Sequence, residues 1–294
     1  MTVMKPVKLA LAPFGVAPPP HFDAFVTRID RLAAQSALAG ADLLVLPEYF
    51  SMVLAGAHIK TPDIAAELAC VVDQAEALVQ ALVTIASRHK IFLLGGTVPM
   101  RVGAEIRNRA PFIGPSGQLE FQDKQAMTRF EAERWGVSGG AGPKVFETPL
   151  GRIGVSICYD SEFPLHVRAQ VKAGARLILV PSCTDSLAGF NRVRLCARAR
   201  AVENQCYVAV VPLVGTAAWS GAIDENRGHA ALFTPCDHGF PPDGVQEAGD
   251  MDGAEILFTS IDFAAIERVR TQGGVLNHRD WHDDVQAAPV VKLA

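Results

Sequence analysis

Glu48, Lys124 and Cys158 each follow a short segment whose pattern predicts a β-strand, a position where α/β proteins place functional groups. A carboxylate can take the proton of a thiol, a thiolate can attack an acyl carbon, and an ammonium can stabilise the oxyanion that forms. Singly, the three residues would be a strand-end charge, a solvated lysine and a buried thiol. Together they predict nucleophilic cysteine chemistry, provided that the fold brings them into one pocket. No Gly-x-Ser-x-Gly segment offers a competing serine nucleophile.

The segments between these residues alternate between helix and strand patterns. Apolar residues at three- and four-residue steps predict helices over residues 22–38, 63–89, 165–173, 189–204 and 263–270. Apolar runs predict strands near residues 8–12, 43–46, 91–94, 106–113, 118–123, 145–146, 153–157, 177–180, 207–211, 230–233 and 256–261, whereas residues 239–253 have the composition of a surface loop. Because about eleven strands would strain a single open sheet, we expect an α/β fold with two packed mixed sheets flanked by helices.

Length and charge limit the class of protein further. The 294 residues contain no internal repeat and no linker, so we expect a single domain over residues 1–294, with residues 271–294 as a C-terminal extension. The net charge is −4, and no block of Lys and Arg stands out. Nucleic acid and membrane surfaces are therefore not expected as partners, because both need concentrated positive charge. No apolar run approaches the roughly 20 residues that cross a bilayer.

The cysteines indicate the compartment. The six cysteines form no CxxC pair, which argues against a zinc knuckle and a thioredoxin-like site. The first residues, 1–6, lack the pattern of a signal peptide. We therefore expect a reducing, cytoplasmic setting.

The flanks of the three reactive residues resemble a known family. Pro47-Glu48, Asp123-Lys124 and the segment Ile-Cys-Tyr-Asp at residues 157–160 are similar to the Glu-Lys-Cys triad of the nitrilase superfamily, the carbon–nitrogen hydrolases. Residues 198–208 resemble the family's RAxEN…YV segment, and the resemblance spans nearly the whole chain. It implies a four-layer α-β-β-α sandwich, which agrees with the two-sheet prediction.

The resemblance also implies a mechanism. Glu48 would take the thiol proton of Cys158, and the thiolate would attack a carbonyl or nitrile carbon. Lys124 and the backbone N–H of Tyr159 would stabilise the oxyanion, and Glu48 would then activate water to hydrolyse a thioester. No metal and no organic cofactor is implied.

A second carboxylate usually completes the family's site, and two residues compete for that place. Glu133 begins Glu-Arg-Trp, which is similar to the Glu-Gly-Trp of aliphatic amidases, whereas Glu131 follows a phenylalanine, as in the acyltransferase branch. The Cys-Tyr-Asp sequence resembles the amidase branches more than the true nitrilases. The resemblance therefore implies hydrolysis of a small linear amide or N-carbamoyl compound. Nitrile hydrolysis, soluble N-acyl transfer and a non-catalytic binding module remain alternatives.

Pocket and interface residues can also be predicted. Candidates for substrate contact are residues beside the reactive positions or after the strand at 177–180: Tyr49, Phe163, Ser182, Cys183, Thr184 and Asp185. Four arginines lie close together on the predicted helix 189–204: Arg192, Arg194, Arg198 and Arg200. We expect them to form salt bridges or to lie at a subunit interface; the alternative is that they bind a substrate carboxylate. By resemblance we expect a homodimer or a larger homo-oligomer, with residues 165–173 and 189–204 at the interface.

Overall fold

The computed structural model describes residues 5–282, 284, 286, 288, 290 and 291, and this part of the chain forms five α-helices and sixteen strands. The helices are α1 Phe22–Leu38, α2 Ile64–His89, α3 Pro164–Lys172, α4 Leu187–Asn204 and α5 Phe263–Gln272. The strands are β1 Val7–Leu11, β2 Phe14–Gly15, β3 Leu43–Val45, β4 Phe92–Leu94, β5 Val98–Val102, β6 Glu105–Ile113, β7 Leu119–Asp123, β8 Val137–Ser138, β9 Val145–Thr148, β10 Gly151–Val155, β11 Leu177–Ser182, β12 Tyr207–Thr216, β13 Glu225–Asn226, β14 Ala231–Phe233, β15 Val245–Ala248 and β16 Leu257–Ile261.

The strands form two mixed sheets that share one plan. In the first sheet the order is β16-β1-β3-β4-β6-β5, and β7 and β8 also pair with β6. In the second sheet the order is β15-β14-β12-β11-β10-β9, and β13 and β2 also pair with β12. Each sheet contains three adjacent parallel strands, β1-β3-β4 in the first and β10-β11-β12 in the second. Most of the other pairings are antiparallel, whereas β2 and β8 pair in parallel with β12 and β6. The prediction of two mixed sheets is confirmed.

Successive side chains of the central strands point into two different buried clusters, and this alternation explains the layers. Leu9 and Val45 belong to the same buried cluster as Val155 and Leu179 of the second sheet. Their chain neighbours, such as Leu44, pack in a second cluster with residues of α1 and α2. On the other side, α3 and α4 contribute residues to the first cluster. The result is the predicted α-β-β-α sandwich, in which every central strand is buried on both faces.

Helix α2 lies against the first sheet. It begins at the N-cap Asp63, whose side chain accepts a hydrogen bond from the backbone N–H of Ala66. Its length and apolar composition would be sufficient to cross a membrane, although a core helix satisfies the same criteria. One face, which includes Leu78, Leu82 and Ile85, is buried in the cluster that covers the first sheet. The helix is therefore part of the core in this fold.

Two regions differ from the predicted pattern. The predicted surface loop 239–253 contains β15, which pairs with β14 at the edge of the second sheet. The predicted extension 271–294 starts inside α5, and residues 283, 285, 287, 289 and 292–294 lie outside the described residues. Its extent as a separate segment stays a prediction.

Candidate active site

Glu48, Lys124 and Cys158 meet in one cavity of about 560 Å³. Glu48 follows β3 of the first sheet, and Lys124 follows β7 of the same sheet. Cys158 follows β10 of the second sheet. The fold therefore brings together three residues that are spread over 110 positions of the sequence, from 48 to 158, and it assembles the cavity from both sheets.

Close backbone packing fixes the position of Glu48. The backbone N–H of Tyr49 donates to Thr97 Oγ1 over 2.8 Å, and the N–H of Thr97 donates to the Pro47 carbonyl over 3.2 Å. Gly96 has a φ of +56°, and a Cβ atom there would lie 2.2 Å from the Pro47 carbonyl oxygen. Only glycine permits this approach, so the chain holds the segment that carries Glu48 tightly.

Lys124 lies between two carboxylates. Its Nζ is 2.8 Å from Glu48 Oε1, and it is 2.8 and 2.7 Å from the two carboxylate oxygens of Glu131. Glu131 also accepts hydrogen bonds from the Tyr49 hydroxyl at 2.6 Å and from the backbone N–H and hydroxyl of Thr128, both at 2.8 Å. All three charged side chains are almost fully buried. The ion pairs and hydrogen bonds offset the desolvation of these charges.

Glu48 has two further hydrogen-bond donors. Asn108 Nδ2 donates to Oε1 over 3.0 Å, and the backbone N–H of Cys183 donates to Oε2 over 3.0 Å. The carbonyl of Cys183 accepts a hydrogen bond from the Cys158 thiol, with 3.7 Å between sulfur and oxygen. Cys183 therefore contacts both the carboxylate and the thiol through its backbone.

Cys158 lies at a sharp turn. Its φ of +47° places it in the left-handed region, and it begins a 3₁₀ turn that extends from Cys158 to Glu162. For a residue with a side chain this conformation is unfavourable by roughly 1–2 kcal/mol. Within this turn, the Asp160 carboxylate accepts hydrogen bonds from the backbone N–H groups of Gln125 and Ala126, at 3.2 and 2.7 Å. This contact ties the turn of Cys158 to the segment of Lys124.

Burial and charge set the protonation states. Burial raises the pKa of Glu48 to about 7, although Lys124 opposes the shift. Burial and the nearby Glu48 carboxylate raise the pKa of the Cys158 thiol well above its usual value. Burial lowers the pKa of Lys124, but Glu131 and Glu48 outweigh it, so the pKa rises and the ammonium stays charged. Burial acts to raise the pKa of Glu131 as well, but Lys124 outweighs it and the pKa is lowered.

These states define what the site can do. The thiol is neutral at rest, and it lies beside a carboxylate whose pKa near 7 suits a group that both accepts and releases protons. The buried ammonium can stabilise negative charge on a reacting atom in the cavity. The arrangement can therefore support nucleophilic attack that is coupled to proton transfer. Among the described residues, no group of three or more His, Cys, Asp or Glu side chains could hold a metal ion.

The two candidates for the second carboxylate have different surroundings. Glu131 is buried against Lys124, whereas Glu133 is exposed and pairs with Arg129 at 2.9 Å. Both lie in the short helical turn Glu131–Trp135, in which Glu131 and Trp135, four residues apart, face inward and Glu133 faces outward. The geometry thus places Glu131, and not Glu133, in the site.

The predicted pocket residues divide into two groups. Tyr49, Tyr159, Cys183, Thr184 and Asp185 line the cavity. Phe163 and Ser182 do not, which corrects that part of the prediction. Phe163 lies beyond the turn of Cys158, where its ring packs on Tyr159 and stays partly exposed. Ser182 is the last residue of β11, and its hydroxyl donates to the Val211 carbonyl inside the second sheet.

Several cavity residues were not predicted from the sequence. Thr128 and Trp135 line the cavity from the segment after Lys124, and Ala222, Asp224 and Glu225 line it from the segment after β12. No motif marks the last three, because they lie in a loop that only the three-dimensional fold brings to the cavity. Arg192 also lines it, and its Nε lies 3.6 Å from Glu162 Oε1.

Comparisons with known proteins agree with this architecture. The family model described as carbon-nitrogen hydrolase matches residues 10–271. The probable hydrolase YhcX of Bacillus subtilis is 27% identical over 281 residues, which are 95% of this chain, and the chain spans about half (54%) of the length of that protein. The omega-amidase NIT2 of Mus musculus is 26% identical over 268 residues, 86% of this chain and 88% of the relative. In fold, the chain resembles Saccharomyces cerevisiae Nit3, a member of branch 10 of the nitrilase superfamily, with a TM-score of 0.72 and 24% identity over 95% of this chain and 98% of the other.

Proposed function

The chain belongs to the carbon–nitrogen hydrolase family, and from this premise we propose that it hydrolyses a small linear amide or N-carbamoyl compound through a thioester on Cys158. The observation that carries the proposal is the contact of the Lys124 ammonium with both Glu48 and Glu131 in the cavity where Cys158 lies. This arrangement supplies a base, a cation and a nucleophile together. The name of the omega-amidase relative supports an amide as the substrate.

The first half of the reaction forms the thioester. Glu48 takes the proton of the Cys158 thiol as the sulfur attacks the carbonyl carbon, because the thiol has too high a pKa to ionise by itself. Negative charge develops on the carbonyl oxygen, and the Lys124 ammonium and the backbone N–H of Tyr159 stabilise it. The carbon–nitrogen bond then breaks, and Glu48 returns the proton to the leaving nitrogen, which departs as ammonia or an amine.

The second half hydrolyses the thioester. Glu48 is a carboxylate again and takes a proton from a water molecule that attacks the acyl carbon. The carbon–sulfur bond breaks, the acid leaves, and the proton returns to the sulfur. Glu131 does not exchange protons in this scheme. Its hydrogen bonds to Lys124, Tyr49 and Thr128 hold the ammonium in place.

The test is a screen for released ammonia over aliphatic amides, ω-amides, N-carbamoyl compounds and nitriles. The wild-type protein is expected to hydrolyse an amide or carbamoyl compound, and mass spectrometry of the quenched enzyme is expected to find an acyl group on Cys158. The Cys158→Ala variant should fold and lose turnover. Cys236→Ala, at an exposed cysteine outside the cavity, is the matched control and should keep full activity. Turnover by Cys158→Ala would refute the proposal.

We also propose that the protein forms a homodimer or a larger homo-oligomer through α3 and α4. It acts in the cytoplasm, its ligand is a small molecule, and it binds neither nucleic acid nor a membrane. Leu165, Leu187 and Leu195 on these helices are at least half exposed, and an interface through these helices would cover them. The six free cysteines agree with a reducing compartment. Sedimentation at micromolar concentration is expected to show a dimer or larger species, and a purely monomeric protein would contradict the proposal.

A further inference from the structure

A buried carboxylate outside the reactive group fixes one wall of the cavity. Glu67 on α2 is fully buried and has no ion pair among the described residues. It accepts hydrogen bonds from the Ser220 hydroxyl, from the backbone N–H of Gly221 at 2.8 Å and from that of Ala222 at 3.4 Å. Its Oε1 also accepts from the N–H of Asp63 at 3.1 Å. Three consecutive residues of one loop, Ser220 to Ala222, thus donate hydrogen bonds to the Glu67 carboxylate. These bonds hold the loop strongly, because charge-assisted hydrogen bonds are stronger than neutral ones.

The loop is residues 217–226, which follow β12 and include the short strand β13 at their end. Its far end is fixed by Asn226, which is buried and whose Nδ2 donates to the carbonyls of Ile223 at 2.8 Å and Gly215 at 3.1 Å. Asn226 Oδ1 accepts a hydrogen bond from the thiol of Cys183 at 3.3 Å, and the N–H of Cys183 holds Glu48. The loop is therefore held in its middle by Glu67 and at its far end by Asn226, and Asn226 connects it to the reactive group through Cys183.

The loop brings negative charge to the cavity. Asp224 and Glu225 line it, and Asp185, before the start of α4, also lines it. Within the part of the chain that the structure describes, none of these three carboxylates has an ion pair. Arg227, which pairs with Asp252 at 2.8 Å, interacts with Glu225 at longer range and offsets only part of their charge.

The two arginines that line the cavity do not balance this charge. Arg129 contacts both carboxylate oxygens of Glu133 at 2.9 Å, and Arg192 faces Glu162 at 3.6 Å. Each arginine is thus beside a carboxylate of its own. The side chains that line the cavity leave an excess of negative charge on the side of loop 217–226.

We propose that loop 217–226, held by Glu67, selects substrates by charge, so that the enzyme accepts amides whose acyl chain ends in a neutral group or an ammonium and disfavours those that end in a carboxylate. The inference rests on the proposed function, because it assumes that the substrate's carbonyl lies at Cys158. Asp224 and Glu225 are the specificity residues. Glu67 is a positioning residue that acts through the loop.

Three amides of nearly equal length test the inference: pentanamide, 5-aminopentanamide and glutaramate, the monoamide of glutaric acid. We expect kcat/KM for 5-aminopentanamide to exceed that for glutaramate by about tenfold or more at low ionic strength, with pentanamide between them. Added salt should reduce this ratio and leave pentanamide unchanged, because screening acts only on the charged pair. Equal values for the two charged amides, or a preference for glutaramate, would overturn the inference.

Substitutions locate the effect. Asp224→Asn and Glu225→Gln should each reduce the ratio about two- to fivefold, the size typical of exposed charge pairs. Glu247→Gln, at an exposed carboxylate of β15 away from the cavity, is the matched control and should leave the ratio unchanged. Glu67→Gln should lower the ratio and raise KM for 5-aminopentanamide, while iodoacetamide still alkylates Cys158 at the wild-type rate. A ratio unaffected by Asp224→Asn, Glu225→Gln and Glu67→Gln together would overturn the role of the loop.

Binding separates this inference from the proposed function. Calorimetric titration of the folded Cys158→Ala variant with the same three compounds measures charge preference without turnover. Tighter binding of 5-aminopentanamide than of glutaramate supports the inference even if the wild-type enzyme hydrolyses neither. The reverse order overturns it, whereas turnover of pentanamide by the wild-type enzyme supports the proposed function independently.

Discussion

Replacement of Glu48 by glutamine should abolish activity and yet favour folding at alkaline pH. Glutamine has nearly the same shape as glutamate and can still accept hydrogen bonds from Lys124 and Asn108 through its oxygen. Lys124 keeps Glu131 as its ion-pair partner. The variant loses the base and keeps the buried ion pair, so the protein should remain folded.

The magnitude follows from the pKa of Glu48, which burial raises from 4.5 to about 7. Each tenfold change in an ionisation constant corresponds to about 1.4 kcal/mol. In the wild-type protein the folded state binds this proton more tightly than the unfolded state, so the free energy of unfolding falls as pH rises from about 4.5 to 7. The loss is on the order of 3 kcal/mol, and Glu48→Gln cannot show it because glutamine does not ionise.

The assay is urea unfolding of both proteins at pH 5, 6, 7 and 8, together with amide turnover. Between pH 5 and pH 8 the difference in unfolding free energy should shift in favour of Glu48→Gln by about 2.5 kcal/mol, which is most of the full effect. Loss of a general base lowers kcat by about 10²- to 10⁴-fold. Glu247→Gln is the control and should show neither effect.

Two outcomes would refute this reasoning. A constant difference in stability from pH 5 to pH 8 would mean that burial does not penalise the Glu48 carboxylate in the folded protein. Retention of more than a tenth of the wild-type turnover would mean that another group accepts the thiol proton.

Three further predictions concern the same cavity. The pH profile of kcat/KM should rise with an apparent pKa near 7, because ionised Glu48 is the active form, and a rise near 4.5 would contradict its burial. Lys124→Met should destabilise the fold by about 3–5 kcal/mol in urea unfolding, since it leaves two buried carboxylates without a cation; a stable variant would contradict the ion-pair analysis. Glu131→Gln should lower kcat/KM by roughly tenfold or more, while Glu133→Gln should change it less than twofold, and equal effects would contradict the assignment of Glu131 to the site.

The sequence predicts the longer elements of the fold because they are buried. The eleven predicted strands and five predicted helices all have counterparts in the structure, within a few residues. The strands that were missed are short or lie at an edge. Glu225–Asn226, for example, is a strand only because β12 pairs with it, and Val245–Ala248 has the polar composition of a loop. Pairing with a distant segment, and not local pattern, creates such strands.

The site could be predicted only where chemistry marks it. Glu48, Lys124 and Cys158 stand out because their residue types fit one reaction. The choice between Glu131 and Glu133 depends on which face of the short helical turn Glu131–Trp135 meets the cavity, and the sequence alone does not reveal that orientation. Glu67 is a single acid within an ordinary helix pattern, and its contact with loop 217–226 joins residues about 150 positions apart. Its role is visible only when the loop and the helix are seen together.

The origin of the reactive groups in two different sheets has a consequence for stability under stress. Glu48 and Lys124 follow strands of the first sheet and Cys158 follows a strand of the second, so the distance between base and sulfur depends on the spacing of the two layers. The layers pack mainly through apolar side chains, with polar contacts such as those of Glu48 with the N–H of Cys183 and of Asp160 with the N–H of Ala126. A shift of one layer relative to the other separates the Cys158 thiol from the Glu48 carboxylate before any strand unfolds. Amide turnover should therefore depend on the alignment of the two layers. In a urea titration we expect it to be lost at a lower urea concentration than the circular dichroism signal of the strands and helices.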